Sequence, residues 1–325
     1  MKKFIGGMLL LSLLGAVGSY GWYEREINEP KEYDRILEIK AGVPLKASLS
    51  QLKEYENPAF KIYLKFSRNQ GRGIKAGYYE LKGNLSIKEI VDLLEEGREK
   101  VYKITIPEGY TVKNIIEIFE REKRGKAENF ETAFQEIDFP YPTPNKNFEG
   151  YLYPETYFFP ENYSEKQVVE TLLKEFLKKF PAEEYPDKEK FYRDLIMASI
   201  IQREALVADE KPLISSVFHN RLKKGMTLSS DATVNYLYDY KKKRIYYKDL
   251  EVASPYNTYK NKGLPPAPIS NPDYNSVIAA MNPLATEYLF FVATGDGSHF
   301  FSKTYKEHLE FQKKNKNKGE KNWKR

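Results

Sequence analysis

Residues 187–225, DKEKFYRDLIMASIIQREALVADEKPLISSVFHNRLKKG, read as two helices joined by a short polar link. Asp187 stands in N-cap position after Pro186, Pro212 falls near the first turn of the second helix, and Gly225 sits where a C′ glycine belongs. Residues 195–201, LIMASII, are apolar all round except for Ser199, the pattern of a helix enclosed by other elements. Glu204 follows that run directly. Ile201 and Ile200 lie three and four residues before it and Met197 two turns before, so its carboxylate shares a stripe with apolar side chains. Desolvation favours the neutral acid and raises its pKa, which makes a proton donor available near neutral pH. Glu204 is therefore a candidate general acid. The competing reading is an ordinary polar helix end, with Arg203, Asp209 and Glu210 nearby, because perturbed carboxylates also occur in structural networks.

The 325 residues suffice for two domains and a substantial core. The net charge of +6 resides in the last 13 residues, KKNKNKGEKNWKR, where seven Lys and Arg face Glu320 alone, so the body between the termini is close to neutral. That distribution gives a nucleic-acid surface no support, and the tail reads as a solvated, disordered end. The absence of cysteine excludes disulfides, thiolate metal sites and Cys nucleophiles, and suits any redox compartment. His219, His299 and His308 show no metal-ligand spacing, so neither a metal site nor a cofactor is expected.

Lys2 and Lys3 precede an uncharged run over residues 4–23, FIGGMLLLSLLGAVGSYGWY, about the 20 residues a membrane-spanning helix needs. Read as an anchor, it holds the N-terminus inside and exports the body, with Tyr20, Trp22 and Tyr23 at the outer interface. Read as a signal peptide, it is cleaved near Ala16-Val17-Gly18. The run continues past that point into the aromatic belt, which favours the anchor.

Between residues 35 and 119 short extended segments alternate with amphipathic helices. ILEIK (36–40) and IYLKF (62–66) have the period of strands. An internal repeat follows: residues 74–77 with the helical pattern 85–94 are echoed by residues 104–109 with the pattern 110–119. Each copy reads as a strand, a Gly-containing turn, an N-cap (Ser86, Thr111) and a helix. The arrangement resembles LysM-type modules that bind glycans containing N-acetylglucosamine, and it also suits a plain α+β packing module.

Residues 120–126, EREKRGK, form a charged connector. Residues 148–159, FEGYLYPETYFF, suggest a packed loop and strand covering an edge of the following body, with Glu149 and Glu155 in structural roles. Ser164 caps an amphipathic helix reaching Phe180, and Asp231 stands where a new segment begins. SPYNTY (254–259) and GLPPAPISNP (263–272) form a long irregular region stiffened by proline, and a rigid long loop commonly presents side chains to a ligand. Asn257 offers the donor and acceptor that a sugar N-acetyl or hydroxyl group requires, between Tyr256 and Tyr259. A helix over 274–281, a buried strand over 288–293, a turn at Gly295-Asp-Gly297 and a strand over 298–302 follow.

Together these segments resemble the YceG-like (MltG-type) endolytic murein transglycosylases. The likeness is carried by Ile106-Pro-Glu-Gly-Tyr110, Glu149-Gly-Tyr-Leu-Tyr-Pro-Glu-Thr156, Ala198-Ser-Ile-Ile-Gln-Arg-Glu204, Val217-Phe-His-Asn-Arg-Leu222, Ser230-Asp-Ala-Thr-Val234, Tyr256-Asn-Thr-Tyr259, Gly263-Leu-Pro-Pro-Ala-Pro-Ile269 and Gly297-Ser-His-Phe-Phe301. No single motif decides; their order and spacing are specific. In that family the last acidic residue of the Ala-Ser-Ile segment is catalytic, which is Glu204 in this chain. The resemblance implies cleavage of the β-1,4 bond between N-acetylmuramic acid and N-acetylglucosamine within nascent peptidoglycan, leaving a 1,6-anhydro end and limiting strand length. Many relatives have a second Glu where this chain has Gln202, which cannot transfer protons, and a Gln where it has Ser229. One carboxylate suffices if the muramoyl N-acetyl group or C6 hydroxyl attacks, whereas ordinary glycosidases need two. Asp231, Asn257 and Tyr259 are expected to orient the sugars; as structural residues they would be a cap, a loop hydrogen-bonder and a core Tyr.

The expected architecture is α+β: a transmembrane anchor over 1–23, a LysM-like α/β module over 24–122, a mixed α+β catalytic domain over 123–312 and a basic disordered tail over 313–325. The resemblance also implies single-pass attachment to the bacterial cytoplasmic membrane, a catalytic domain on the periplasmic or extracytoplasmic side, glycan strands as substrate, and cell-wall synthesis proteins, not nucleic acid, as partners. A non-catalytic glycan-binding scaffold, with Glu204 merely closing a helix, stays open as the reading of another class.

Overall fold

The computed structural model describes the backbone of residues 2–40, 43–67, 74–97, 100–205 and 207–322, and within these, apart from residue 100, the side chains of 14–314. Contacts divide the chain into two compact units, Met1–Ile104 with Tyr157–Tyr163, and Thr105–Thr156 with Ser164–Arg325.

In the first unit α1 (Lys2–Asn28) leads into β1 (Lys31–Ile39), followed by α2 (Leu45–Leu49), α3 (Pro58–Phe66), β2 (Gly77–Leu85), α4 (Ile87–Glu96) and β3 (Lys100–Thr105). With β4 (Thr156–Pro160) the strands form one sheet in the order β1-β2-β3-β4. β1 and β2 pair antiparallel throughout, from Lys31 opposite Leu85 to Ile39 opposite Gly77. Leu37, Tyr79 and Leu81 from the sheet meet Phe60, Ile90, Val91, Leu94 and Ile27 in the core.

Residues 62–66, expected as a strand, form the second half of α3. Asn57 caps this helix by accepting from the Ala59 N–H at 2.9 Å, and Pro58 supplies a helical φ at its start. Ala59, Phe60, Tyr63 and Leu64 then meet the core at helical spacing, a longer pattern than the five-residue alternation.

Both caps of the internal repeat are present as reciprocal capping boxes, Ser86 with Glu89 and Thr111 with Asn114. The first copy's strand, however, begins at Gly77 instead of ending there, and the second copy's helix, α5 (Val112–Arg121), belongs to the other unit. The contact division falls after Ile104, within the span 24–122 expected for the LysM-like module. Among the described residues no helix is long and apolar enough to cross a membrane.

The second unit continues with α6 (Ala127–Glu136), α7 (Glu165–Lys179), α8 (Lys188–Glu204), α9 (Lys211–Lys223), α10 (Asp231–Tyr236) and α11 (Tyr274–Met281). α8 packs against α9, α10 and α11, and residues 195–201 are all buried. Its start and the end of α9 follow the sequence signals: Asp187 accepts from the Lys190 N–H at 2.8 Å, and Gly225 takes the left-handed φ of 65°. Ser199 donates to the Ile196 carbonyl at 2.7 Å and accepts from the Ile269 N–H at 3.0 Å, while Ser270 donates to the Ser199 carbonyl at 3.1 Å. These bonds stitch the proline-rich loop 263–272 into the core, where Ala267, Ile269, Ser270 and Asn271 are buried. The loop was expected to present side chains to a ligand. Its prolines lack N–H groups, and Ser199 and Asn271 satisfy much of the remaining backbone, so it tolerates burial without regular structure.

Segment 148–159 is packed as expected, but Tyr151 lies fully buried among Phe139, Tyr141 and Phe176 and does not merely cover an edge. β5 (Phe290–Ala293) and β6 (His299–Ser302) form an antiparallel hairpin, and β5 is half-buried where a buried strand was expected. α12 (Tyr305–Asn322) packs on both strands and runs past residue 313, where the tail was expected to be disordered; its Lys, Glu and Gln are good helix formers.

Candidate active site

Glu204 is the last residue of α8. Ser230, the N-cap of α10, makes no side-chain bond to its own helix; its hydroxyl donates to Glu204 Oε1 instead, and the Ala232 N–H also reaches that carboxyl. Glu204 thus caps α10 from outside the helix. Burial is the largest influence on its acidity and pushes the pKa up. The Ser230 hydroxyl pulls it down, Asp231 pushes it up, and the Ala232 N–H and His299 pull it down, leaving it above the ordinary carboxylate value. The carboxyl is enclosed, while the residue as a whole is half-buried.

The structure brings Asp231 and Tyr259 to this place. The Tyr259 hydroxyl donates to Asp231 Oδ1 at 2.7 Å, and its pKa is pushed up by burial first and by Asp231 and Glu204 in addition. Asn257 is different. It is fully buried, its Nδ2 donates to the Leu250 and Val252 carbonyls at 2.8 Å each, and its Oδ1 accepts from the Tyr259 N–H at 3.0 Å. The amide is consumed by the loop, which corrects the expectation that it contacts sugar; it holds Tyr259 in place.

Three further groups escaped the sequence reading. The first is Ser230, the hydroxyl donor to Glu204. The Arg221 guanidinium donates to the carbonyls of Leu289 at 2.7 Å and Leu228 at 2.5 Å, and lies close enough to Glu204 and Tyr259 to feel both. Glu210, from the link between α8 and α9, accepts from the His299 N–H at 2.9 Å and approaches His299 Nδ1 at 2.7 Å, fixing β6 beside Glu204. The available signals were the Ser-Asp pair at a helix start and a His just after a Gly-Asp-Gly turn. Gln202 accepts from Ser276 Oγ at 2.7 Å and from the Asp273 N–H at 3.1 Å, so it joins α8 to α11.

Glu149 is a second buried carboxyl in this unit. It accepts from the Val112 N–H at 3.1 Å, Asn271 Nδ2 at 3.1 Å and the Tyr236 hydroxyl at 3.5 Å, beside a cleft of about 530 Å³. Burial pushes its pKa up to about 8 against the pull of Val112 and Tyr236. Its role is structural: it caps α5 and ties it to α10. Among the described residues no group of three acidic or His side chains could hold a metal ion.

The YceG-like family model matches residues 37–314. A Bacillus subtilis (strain 168) protein named endolytic murein transglycosylase is 33% identical over 327 residues, a match covering 92% of this chain and 90% of that protein. A protein of the same name from Streptococcus pneumoniae serotype 2 is 26% identical over 355 residues, covering 95% of this chain and 64% of that one. A 2.6 Å crystal structure of a yceG-like protein from Listeria monocytogenes shares 35% identity at a TM-score of 0.57, covering 86% of this chain and 99% of that one. With a match that takes in most of both units and a relative aligned nearly end to end, this chain belongs to the YceG-like family.

Proposed function

We propose that this protein is an endolytic murein transglycosylase, a lyase that cuts the β-1,4 bond between N-acetylmuramic acid and N-acetylglucosamine inside nascent peptidoglycan strands and leaves a 1,6-anhydro end. The observation that carries the reading is the state of Glu204, an enclosed carboxyl with its pKa raised chiefly by burial and held by Ser230 at the start of α10. The name borne by the Bacillus and Streptococcus relatives supports it.

Protonated Glu204 gives its proton to the glycosidic oxygen as the bond from C1 breaks, and the N-acetylglucosamine end departs with a free 4-hydroxyl. The muramoyl N-acetyl oxygen or the C6 hydroxyl answers the positive charge developing at C1. The C6 oxygen then bonds to C1, its proton passes to the Glu204 carboxylate, and no water is consumed. Burial serves the first half by keeping the acid protonated. The Ser230 hydroxyl and Ala232 N–H serve the second by steadying the anion. Tyr259, oriented by Asp231 and by the Asn257 loop, orients the sugars.

On this reading residues 1–23 anchor the chain by a single pass in the bacterial cytoplasmic membrane, with the body on the extracytoplasmic side beside cell-wall synthesis proteins. Lys2 and Lys3 ahead of the uncharged run 4–23 support this. The full chain is expected in the membrane fraction and a 24–325 truncation in the soluble one; equal partition of both removes the anchor.

Purified glycan strands test the chemistry. Wild type is expected to yield anhydro ends by mass spectrometry, and Glu204→Gln none. A hydrolase gives ends heavier by one water, a scaffold gives no turnover with either protein, and equal turnover by both removes Glu204 from its role.

A further inference from the structure

The segment joining α10 to residue 249, YLYDYKKKRIYYKD (236–249), displays exposed aromatic and basic side chains, with the Arg244 guanidinium 5.5 Å from the centre of the Tyr246 ring. Tyr247 is 91% exposed and Tyr246 56%. Lys243, Arg244 and Lys248 are exposed beside them. The nearby acids are already neutralised: Asp239 pairs with Lys113 and Lys241, Asp249 with Lys242, and Glu251 with Lys260. Among the described residues Lys243, Arg244 and Lys248 form no ion pair with a carboxylate.

The segment is also built. Tyr240 donates its hydroxyl to the Ile269 carbonyl at 2.9 Å, Asn235 Nδ2 donates to the Lys242 carbonyl at 3.0 Å, and Asp249 accepts from the Tyr246 N–H at 2.9 Å. Asp239 and Tyr240 hold left-handed φ values of 53° and 55°. Exposed aromatics and uncompensated cations held on so fixed a frame answer to a ligand better than to solvent, because ordering them contributes nothing to the core.

Two connections tie the segment to Glu204. Arg203, the neighbouring residue on α8, lies with its guanidinium carbon 3.7 Å from the centre of the Tyr240 ring. α10 begins at the Ser230 and Asp231 positions described above and ends where the segment starts, six residues later or about 9 Å along the helix axis.

We propose that Lys243, Arg244, Tyr247 and Lys248 form a subsite for the acidic peptide stem carried by the muramic acid of the substrate, cations to its carboxylates and Tyr247 against its side chains. This rests on the reading of the protein as a peptidoglycan-cleaving enzyme. A stem of three to five residues in extended form spans about 10–18 Å, more than the length of α10 between Ser230 and the start of the segment. Its free carboxylates complement the three unpaired cations.

The test uses the full chain with Lys243→Gln, Arg244→Gln and Lys248→Gln together, beside Tyr247→Ala, on strands bearing stems and on the same strands stripped of them by an amidase. With stem-bearing strands at low salt the triple variant is expected to raise KM about tenfold, three exposed pairs of modest strength each, with kcat unchanged. The rise should vanish at high salt and on stripped strands. An equal rise on both substrates, or none on either, overturns the proposal. So does an unchanged KM with lost binding to phosphatidylglycerol vesicles, which assigns the surface to a membrane. Binding of stem-bearing strands by Glu204→Gln protein, with and without the triple change, reads the subsite without turnover. A wild type that cleaves neither substrate therefore sinks the enzymatic reading while this measurement still decides the subsite.

Discussion

Replacing Glu149 by Gln changes how stability depends on pH. The folded carboxyl titrates at about 8 against an ordinary value of 4.5, with burial as the main cause. The unfolded chain sheds this proton near pH 4.5 while the folded chain keeps it until about 8. The stabilising contribution is therefore complete below 4.5, declines as pH rises, and is gone above 8. At about 1.4 kcal/mol for each pH unit between the two values, the decline amounts to about 5 kcal/mol in full and about 3 kcal/mol between pH 5.5 and 8. Glutamine keeps the size and leaves an oxygen for the Val112 N–H and Asn271, with its NH₂ toward the Tyr236 hydroxyl, and it does not titrate. Urea unfolding followed by far-UV circular dichroism measures the difference in stability between variant and wild type. From pH 5.5 to 8 that difference should move by about 3 kcal/mol in favour of the variant, since distant titrating groups are common to both proteins and cancel. Tyr236, itself pushed up by burial and then by Glu149, stays protonated over this range. Parallel pH profiles for the two proteins would refute the reasoning, because they would mean that the folded carboxyl is already ionised at pH 5.5.

Ser230→Ala removes a donor that pulls the Glu204 pKa down, so the alkaline limb of kcat/KM should move to higher pH, and a limb that stays in place separates Ser230 from the proton. Lys211→Met leaves Asp273 without its partner at 2.6 Å in the buried contact between α9 and the start of α11, with an expected loss of about 3 kcal/mol by urea unfolding. Adding Asp273→Asn should recover part of it; if the double variant is no better than the single one, the uncompensated charge is not the cause.

Features set within one helical turn were legible in the sequence. Asp187, Ser164, Ser86 and Thr111 cap helices by bonds to the N–H three residues on, so residue type and spacing reveal them. The strand expected at 62–66 failed because five alternating residues lose to the Asn-Pro start and nine-residue reach of a helix. The proline-rich loop was misplaced because its burial depends on Ser199, 70 residues away from Ile269. Glu204 could be found because the apolar stripe precedes it on the same helix. Its partner His299 could not, since it is fixed by Glu210 across 89 residues. Asn257 was misread for another reason: an amide that suits a sugar also suits a loop, and only the Leu250 and Val252 carbonyls decide between them. The cationic segment after α10 is hidden in a body of near-neutral total charge, since a sum over the chain conceals three exposed basic side chains within six residues.

Glu149 and Glu204 are both carboxyls with pKa values raised first by burial, in the same unit, and burial alone does not tell a catalyst from a brace. What separates them is the remaining capacity of the oxygens and access to them. Glu149 is 4% exposed and receives Val112, Asn271 and Tyr236, so a proton donated from it would have to cross groups that are already bonded to it. Glu204, in a residue that is only partly buried, receives Ser230 and the Ala232 N–H, both at the start of one short helix. A buried acid that is saturated with donors from three elements stabilises the fold around it; a buried acid held from one side can lose and regain a proton without disturbing that fold. Glu204→Gln should therefore abolish turnover with little change in the unfolding midpoint, while Glu149→Gln should shift the pH dependence of stability and leave the pH dependence of turnover where it was.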